Sequence, residues 1–357
     1  MRVLLVSSAR GMRGGERQTL ELGVRLAARG IEVAWAVRRG SALSRALPAG
    51  ASSLQSAFES IPLWTPVAMR RFISRWRPDV VHAQTSRAHT HAVIACRGGP
   101  PLVVSRRVVF GGAGPLAALK YGKGVARFIP ISQAAAESLR RRGVGPDRMT
   151  IVPSGVDTGR FGSAVRDESL RSSLGGTEGT FLVGTAAALE REKGLEVLIE
   201  AASILCGRDP SVRFVAAGEG RLEGRIRSAL RRRGLDERFN LVGPPADLAT
   251  LLAAIDLFAL PSLEEGLSSA LIAAAAAGLP CVASDTGGIP EVIGGGAGIL
   301  FPPGDARALA EAIARLAADG DRRRELGMRA RVRAADFDIE RTVEGTLAVY
   351  REVSGEG

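Results

Sequence analysis

Short apolar runs typical of strands alternate with helical segments along most of the chain, and this alternation limits the possible folds more than any other feature. In the first half, the run Arg2–Val6 is followed by a glycine-rich loop and then by Glu16–Arg29, which carries apolar residues at helical spacing. In the second half, a predicted strand at Thr180–Thr185 precedes a predicted helix at Lys193–Cys206. Such alternation predicts an α/β fold whose parallel sheets are covered by helices on both faces.

The length of 357 residues exceeds that of one ordinary core and indicates two domains. We predict a first domain at residues 1–163, a second at 164–337, and a last helix at 338–357 that packs back on the first. Each domain is predicted to be doubly wound and Rossmann-like, and the two would face a cleft. The polar, glycine- and serine-rich stretch from Gly155 to Gly179 is typical of a linker between them. Further strands are predicted at residues 31–37, 79–83, 101–105, 127–131, 149–152, 212–217, 240–242, 256–260 and 280–284.

Positive charge is concentrated in the first part of the chain. Residues 1–150 hold 24 Lys and Arg against 7 Asp and Glu, within a total net charge of +11. Such asymmetry predicts an anionic partner, namely a membrane surface, a phosphorylated acceptor or nucleic acid. It could equally reflect composition, because only 3 of the 48 basic residues are Lys. With two Tyr and three Trp, the chain lacks the stacking residues of nucleic-acid binders, so nucleic acid is not expected.

Cysteine usage and the first residues bear on localisation. Cys96, Cys206 and Cys281 are far apart and show no metal-binding spacing, which fits a reducing cytoplasm. The apolar run that follows Met1 is too short for a secretory signal. We therefore expect a cytoplasmic protein, with peripheral association at the inner membrane as an option.

The stretch from Leu260 to Ala270 points most directly to chemistry. A predicted strand ends at Leu260, an acidic loop and a turn of small residues follow, and then a helix begins. The free N–H groups of that helix start could bind a phosphate, and Glu265 could accept hydrogen bonds from sugar hydroxyls. Taken alone, an ordinary loop with a capping carboxylate would explain the same pattern.

This stretch and its surroundings resemble family 4 retaining glycosyltransferases, which have the GT-B fold. The resemblance covers nearly the whole chain and extends to the lipopolysaccharide-core-like branch, in which a Ser-Arg-Arg segment like Ser105–Arg107 occurs. The matching segments are Val152–Asp157, Lys193–Gly194, Leu198–Ala201, Gly218–Gly220, Pro261–Gly266, Gly278–Ser284, Thr286–Val292 and Gly298–Asp305.

The resemblance implies a donor site in the second domain. Lys193 would neutralise the diphosphate of a nucleotide-sugar, and Glu265 would bind the sugar that is transferred. The remaining donor-binding positions are Gly218, Gly220, Gly243, Gly266, Leu267, Ser268 and Ala273.

In the first domain the resemblance implies an acceptor site. Gly14 and Gly15 match the loop that lies between donor and acceptor, and Arg106 and Arg107 would contact an acceptor phosphate or only solvent. His82 matches the first position of the family's His-x-His pair and is a catalytic candidate, although a lone His at a strand end is often structural. The second position is Gln84. His89 and His91, on the following helix, are expected to be surface or packing residues.

Two family charges are missing. The second family Glu is replaced by Ala273, and an Arg five residues before the lysine is replaced by Ala188. Losing a charged hydrogen bond could cost donor binding on the order of 1.5–3 kcal/mol. The alternative is therefore a degenerate, non-catalytic protein that binds sugar nucleotides or glycans. A nicotinamide dehydrogenase is disfavoured, because the first glycine-rich loop is not G-x-G-x-x-G.

The expected function is a retaining, metal-independent transfer of sugar from a nucleotide-sugar to a lipid-linked or lipopolysaccharide-like glycan acceptor. No metal and no cofactor is expected, because the Asp-x-Asp at Asp336–Asp338 fits a helix cap. Retention is implied by the family resemblance alone. The identity of the sugar, of the base and of the acceptor is left open.

Overall fold

The computed structural model describes residues 1–60, 63–107 and 120–355. The chain forms two compact units. The first contains Met1–Gly155 and Ile339–Gly357, and the second contains Val156–Asp338. The first unit thus ends at Gly155 rather than at residue 163.

A six-stranded parallel sheet organises the first unit, in the order β3-β2-β1-β4-β5-β6. Its central strands are continuous apolar runs because helices cover both faces, and Val3–Val6 of β1 are fully buried. The strands are β1 (Arg2–Ser7), β2 (Glu32–Arg38), β3 (Ser53–Ser56), β4 (Val80–Ala83), β5 (Leu102–Arg106) and β6 (Arg127–Pro130). The helices that connect or follow these strands are α1 (Gly14–Ala28), α2 (Ala42–Ala46), α3 (Trp64–Trp76), α4 (Ser86–Ala95) and α5 (Gln133–Arg140).

The second unit repeats this plan with the sheet order β12-β11-β10-β7-β8-β9. Its strands are β7 (Phe181–Ala186), β8 (Val212–Ala217), β9 (Phe239–Val242), β10 (Leu257–Leu260), β11 (Cys281–Ser284) and β12 (Ile299–Phe301). Its helices are α6 (Thr158–Gly162), α7 (Glu168–Ser173), α8 (Leu195–Cys206), α9 (Glu223–Arg232), α10 (Leu248–Ala254), α11 (Ser269–Ala276), α12 (Ile289–Ile293), α13 (Ala306–Ala318) and α14 (Gly320–Ala334).

The last helix, α15 (Ile339–Ser354), follows the second unit in sequence but packs in the first. Its buried residues Val343 and Tyr350 join the core formed by β1, α1 and β2. Arg25 of α1 forms an ion pair with Glu340 of the same helix. The core of the first unit therefore contains residues from the first and the last segments of the chain.

Both sheets have the doubly wound strand order, and the predicted fold class is confirmed. In each sheet the strand order reverses between two central neighbours, β1 and β4 in the first and β7 and β10 in the second. Loops at the carboxyl ends of such strands separate and leave a crevice, where ligands bind in open α/β sheets. A ligand site is therefore expected at each of these two places.

One predicted strand was wrong, and one strand was missed. Residues 149–152 form no strand; instead, a single bridge joins Met149 to Phe128, and the backbone N–H of Thr150 donates to the Phe128 carbonyl. The strand β3 was not predicted, since it is a short polar edge strand without apolar alternation. Neither difference changes the class of the fold.

The predicted linker is also different in the structure, since most of it is built into the second unit. It contains α6 and α7, and the Arg171 side chain of α7 is buried. Its guanidinium donates to the Asp256 carboxylate over 2.8 Å and to the Ala254 carbonyl over 2.7 Å. Composition indicated a linker because glycine and serine are frequent there, but this buried ion pair fixes the segment.

Replacing Arg171 by alanine should lower the free energy of unfolding of the second unit by about 3 kcal/mol, because the Asp256 carboxylate loses its buried ionic partner. Arg166 provides the control. It approaches the same carboxylate over 3.2 Å but is far more exposed, so Arg166→Ala should cost under about 1 kcal/mol. Urea denaturation of both variants measures the difference, and equal costs would contradict this role of Arg171.

Candidate functional site

An ion pair lies at the place in the second unit where the strand order reverses. Lys193 ends a short 3-10 turn in the loop after β7, and Glu265 lies in the loop after β10. The Lys193 ammonium and the Glu265 carboxylate are 2.6 Å apart. The structure therefore brings together the two residues to which the sequence analysis assigned donor phosphate and sugar.

The Glu265 carboxylate is held in a fixed position. One oxygen accepts from Lys193 and from the Ser262 hydroxyl at 3.4 Å, and the other accepts from the Gly266 backbone N–H at 3.2 Å. The residue is 8% exposed. A buried carboxylate with several donors around it is an acceptor of fixed geometry, which suits recognition of hydroxyl groups.

The loops that carry the pair are tied to one another. The backbone N–H of Leu263 donates to the Glu192 carbonyl over 2.8 Å. Gly194 has a positive φ of 62°, and a Cβ atom there would lie 2.0 Å from the Pro261 carbonyl oxygen. The two loops thus approach as closely as glycine permits, and the pair is positioned by the backbone itself.

The helix α11 begins three residues after Gly266. The Ser268 hydroxyl caps it by accepting from the Leu271 backbone N–H at 3.3 Å. The first N–H groups of any helix lack partners inside the helix, and the helix dipole favours an anion there. Gly266, Leu267 and Ser268 are all buried and lead from the carboxylate into this helix start. A sugar and a phosphate group could therefore be bound side by side.

The turn Gly218–Gly220 lies against the loop after β7. Gly218 has φ of 155°, and a Cβ atom there would come within 1.9 Å of the Ala187 carbonyl oxygen. A Cβ on Gly220 would lie 2.4 Å from the Leu189 carbonyl oxygen. Gly243, in contrast, is exposed after the edge strand β9, and β8 separates β9 from β7. The structure brings the first two glycines, but not Gly243, to the loop that leads to Lys193.

Ala273 lies in the interior of α11 and is fully buried. Each residue from Leu271 to Ala276 is at most 2% exposed. The position of the second family carboxylate is therefore closely packed in this protein. Ala188 lies partly buried in the loop after β7, five residues before Lys193.

His82 is at the centre of a buried polar cluster in the first unit. Its Nδ1 atom lies 2.6 Å from the Tyr350 hydroxyl and 2.9 Å from the Gln84 amide nitrogen, and its Nε2 atom lies 2.9 Å from the Ser105 hydroxyl. Burial, together with the nearby Arg107 cation, lowers the pKa of His82 to about 3. The imidazole is neutral at physiological pH, and this geometry suits a residue that positions its neighbours.

Arg107 connects this cluster to the first glycine-rich loop. Its guanidinium donates to the Gln84 amide oxygen over 2.6 Å, and to Gln18 and Ser154 over 3.2 Å each. A Cβ atom on Gly15 would contact the Arg107 side chain at 3.4 Å, and Gly14 is the first residue of α1. Burial lowers the pKa of Arg107 to about 10, so the cation persists at neutral pH.

Arg106 occupies a different environment from its neighbour. It is buried at the end of β5, and burial, partly offset by Tyr121, lowers its pKa. Consecutive side chains along an extended strand point to opposite faces of the sheet, which explains why Arg106 and Arg107 have different neighbours. Of the two arginines, Arg107 is the one that joins the glycine-rich loop. Gln18 and Tyr350 were missed from the sequence because no local motif marks them, and Ser154 was identified only as part of the matching segment Val152–Asp157.

His89 and His91 are packing residues, which is one of the two roles predicted for them. The His89 ring packs edge-on against Tyr121 and Phe128, and the His91 ring packs against Phe58. Burial is the largest cause that lowers the pKa of His89, to about 3. Both rings are buried rather than on the surface.

The neutral histidines predict a loss of stability in acid. The pKa values of His82 and His89 are near 3 in the folded chain and about 6.5 when unfolded, so the unfolded chain binds more protons below pH 6.5. Stability should therefore fall as pH decreases, by about 2 kcal/mol per histidine between pH 7.5 and pH 5. The variant His89→Leu should lose about 2 kcal/mol less than the wild type over this range, measured by urea denaturation at both pH values. Identical losses would contradict the assignment.

Among residues 1–60, 63–107 and 120–355 there is no group of three or more metal-ligating side chains. Asp338 accepts hydrogen bonds from Thr158, and Asp336 from Arg333. Within the same described residues, no helix is long and apolar enough to cross a membrane.

Two family models match the chain, one in each unit. Residues 12–160 match the model described as glycosyltransferase family 4, and residues 180–319 match that of the glycosyl transferases group 1. The D-inositol 3-phosphate glycosyltransferase of Nocardia farcinica is 32% identical over 292 residues. The alignment covers 77% of this chain and 62% of that relative, so the chain spans less than two thirds of its length.

Solved structures of glycosyltransferase folds resemble the whole chain. HepE of Anabaena, in complex with UDP and glucose, superposes with a TM-score of 0.84 at 21% identity, covering 97% of this chain and 98% of HepE. WaaG, a glycosyltransferase involved in lipopolysaccharide biosynthesis, superposes with a TM-score of 0.79 at 18% identity, covering 99% of this chain and 100% of WaaG. At such identities the likeness establishes the fold.

The fold and the pair of matched models define the chain as a GT-B protein. Its residues 12–160 and 180–319 match two glycosyltransferase models, that of family 4 and that of group 1. The predicted resemblance to glycosyltransferases is therefore confirmed.

Proposed function

We propose that this chain transfers a sugar from a nucleotide-sugar to a lipid-linked or lipopolysaccharide-like glycan, with retention of configuration and without a metal. The observation that carries the proposal is the contact of 2.6 Å between Lys193 and Glu265 beside the start of α11. A cation, a fixed carboxylate and free helix N–H groups together match a diphosphate joined to a sugar.

When the donor binds, the Lys193 ammonium would turn from Glu265 to the diphosphate. The N–H groups at the start of α11 would share the phosphate charge, and Glu265 would accept hydrogen bonds from the sugar hydroxyls. Charge on the departing nucleoside diphosphate increases in the transition state, so a cation fixed beside it accelerates the reaction.

The proposed chemistry needs no protein nucleophile. The bond from the anomeric carbon to the phosphate oxygen breaks, and the acceptor hydroxyl oxygen forms its bond to that carbon on the same face of the sugar. The acceptor proton passes to the departing phosphate oxygen. Retention and the nature of the acceptor rest on the family resemblance, and the likeness to WaaG supports the acceptor class.

We propose that the first unit binds the acceptor. Arg107 is a half-buried cation that donates hydrogen bonds to the neutral groups of Gln84, Gln18 and Ser154, and it contacts the glycine-rich loop. Such a group can recognise an anionic or hydroxyl-rich acceptor without a change of protonation.

The test is a transfer assay with UDP-, GDP- and ADP-sugars in the presence of a chelator, with a bacterial lipid and lipopolysaccharide extract as acceptor. We expect one nucleotide class to release nucleoside diphosphate and to label the extract. The anomeric configuration of the product, determined by NMR, should equal that of the donor. Inversion would refute retention, and dependence on added metal would refute metal independence. Donor binding without any transfer would favour the non-catalytic alternative.

A further inference from the structure

One surface of the first unit combines exposed apolar residues with arginines and contains no acidic residue. It is formed by the outer face of α3 and the residue before it, and we call it the α3 surface: Leu63, Trp64, Val67, Arg70, Arg71 and Arg75. The buried face of α3, which includes Met69 and Ile73, packs in the core instead.

The apolar part of the α3 surface is unusually exposed. Trp64 is 78% exposed and Leu63 is 60% exposed, whereas Trp35 is only 2% exposed. Exposed large apolar residues that occur singly need no explanation, but a contiguous group marks an interaction site. Three such residues lie within five positions here.

The charged part lies along the next turns of the same helix. Arg70, Arg71 and Arg75 are exposed, and with Val67 they line a shallow groove. From residue 60 to residue 78 the sequence holds no Asp or Glu. The nearest preceding acid, Glu59, is occupied, because its carboxylate accepts from the backbone N–H groups of Trp64 and Thr65 at 2.7 Å each.

These hydrogen bonds also hold the start of α3 in place. Burial alone would raise the pKa of Glu59, but the bonds from Thr65 and the backbone outweigh it and lower the pKa to about 2. Glu59 is therefore ionised at physiological pH, and it caps the turn that presents Leu63 and Trp64. The α3 surface is a preformed feature of the folded unit.

We propose that the α3 surface docks the protein on an anionic lipid bilayer. An indole ring prefers the boundary between headgroups and acyl chains, where Leu63 and Val67 would be buried beside it. Arginines on the adjoining turns would contact anionic headgroups, each contributing about fivefold in affinity. A protein partner would need a shape complementary to both the apolar and the cationic parts of the α3 surface. An anionic bilayer offers acyl chains to the apolar part and headgroups to the arginines without any such fit.

This inference rests on surface properties of the first unit and is independent of the donor site in the second. Docking would place the first unit, where we propose that the acceptor binds, at the surface that holds a lipid-linked acceptor.

The test is co-sedimentation of the full chain with vesicles of phosphatidylcholine, with and without phosphatidylglycerol. We expect binding only to the anionic vesicles, weakening as salt is raised. The triple variant R70Q/R71Q/R75Q should bind about a hundredfold more weakly. A matched control, R231Q/R232Q/R233Q, removes the same charge from exposed arginines at the end of α9 and should bind as the wild type.

A second readout follows Trp64 directly. Because Trp35 is buried and Trp76 is half-buried at the other end of α3, a blue shift of tryptophan fluorescence on anionic vesicles should arise mainly from Trp64, and Trp64→Phe should largely abolish it. The double variant L63S/W64S should bind more weakly, whereas M328S/V332S on α14, which removes two other exposed apolar side chains, should not.

Absence of binding to anionic vesicles would overturn the proposal, as would binding that the α3 variants and their controls weaken equally. Nucleotide-sugar titration of the same variants separates the two claims. If an α3 variant loses vesicle binding but still binds the donor, docking is a separate property of the first unit. If the wild type binds vesicles but no donor, the docking proposal stands and the proposed function fails.

Discussion

Replacement of Lys193 by alanine should lower kcat/KM for the nucleotide-sugar about 100- to 1000-fold, because it removes the cation beside the developing charge of the diphosphate. Among the residues that the structure describes, this ammonium pairs with one carboxylate, that of Glu265, at 2.6 Å. The measurement is release of nucleoside diphosphate under initial-rate conditions. Lys123 provides the control, since it is an exposed lysine of the first unit, and Lys123→Ala should retain wild-type turnover.

Loss of activity through unfolding must be separated from loss of the charge. Removal of Lys193 leaves Glu265 buried with one partner fewer, so the thermal midpoint is to be measured together with the rate. The double variant K193A/E265Q removes both charges and should regain stability without regaining turnover. Turnover within threefold of the wild type in a folded Lys193→Ala protein would contradict the assignment.

Substitution of Gly287 by alanine should destabilise the second unit by about 4 kcal/mol or more and weaken donor binding. Gly287 has φ of 56°, and a Cβ atom there would lie 1.7 Å from the Glu265 carbonyl oxygen, so the backbone of the loop must move. The neighbouring Gly288 N–H, which donates to the same carbonyl over 3.3 Å, would be displaced with it. Urea denaturation and donor titration measure the two effects.

Gly295 distinguishes the two causes of this destabilisation, namely backbone strain and the close contact with the Glu265 carbonyl. It also has a positive φ, of 67°, but no atom lies within 4 Å of the position of its Cβ. Gly295→Ala therefore reports backbone strain alone and should cost about 1 kcal/mol with no effect on the donor. Equal costs in the two variants would show that contact between Gly287 and the Glu265 loop is unimportant.

The alternation of strands and helices allowed the fold class to be predicted, the family resemblance assigned Lys193 and Glu265 to one donor site, and the topology of the sheet explains why the two residues meet. Strand and helix periods alternate, and parallel sheets place the loops after consecutive strands at one edge. Lys193 and Glu265 follow the two strands, β7 and β10, between which the strand order reverses. Their proximity is therefore a consequence of topology.

The features that were missed depend on contacts between distant residues. The Tyr350 hydroxyl reaches His82 across 268 positions, and Arg171 reaches Asp256 across 85. Neither pair has a local pattern, since each residue alone is compatible with a solvated surface. For the same reason a glycine-rich composition indicated a linker where two short helices pack.

The burial of single residues could not be read from the sequence. The apolar run that includes Ala273 favours a buried helix, but only the structure shows that Ala273 itself is fully enclosed. A Glu restored at this position would introduce a carboxylate into a closely packed helix, so we expect it to destabilise the unit rather than to improve donor binding.

Calorimetric titration tests most directly whether the second unit binds a nucleotide-sugar through Lys193. Wild-type protein is titrated with UDP-, GDP- and ADP-sugars in the presence of a chelator, in parallel with Lys193→Ala and Lys123→Ala. The account predicts saturable binding of one nucleotide class by wild type and Lys123→Ala, and its loss in a folded Lys193→Ala protein. Absence of binding to every nucleotide-sugar, or binding that is unchanged in Lys193→Ala, would contradict it.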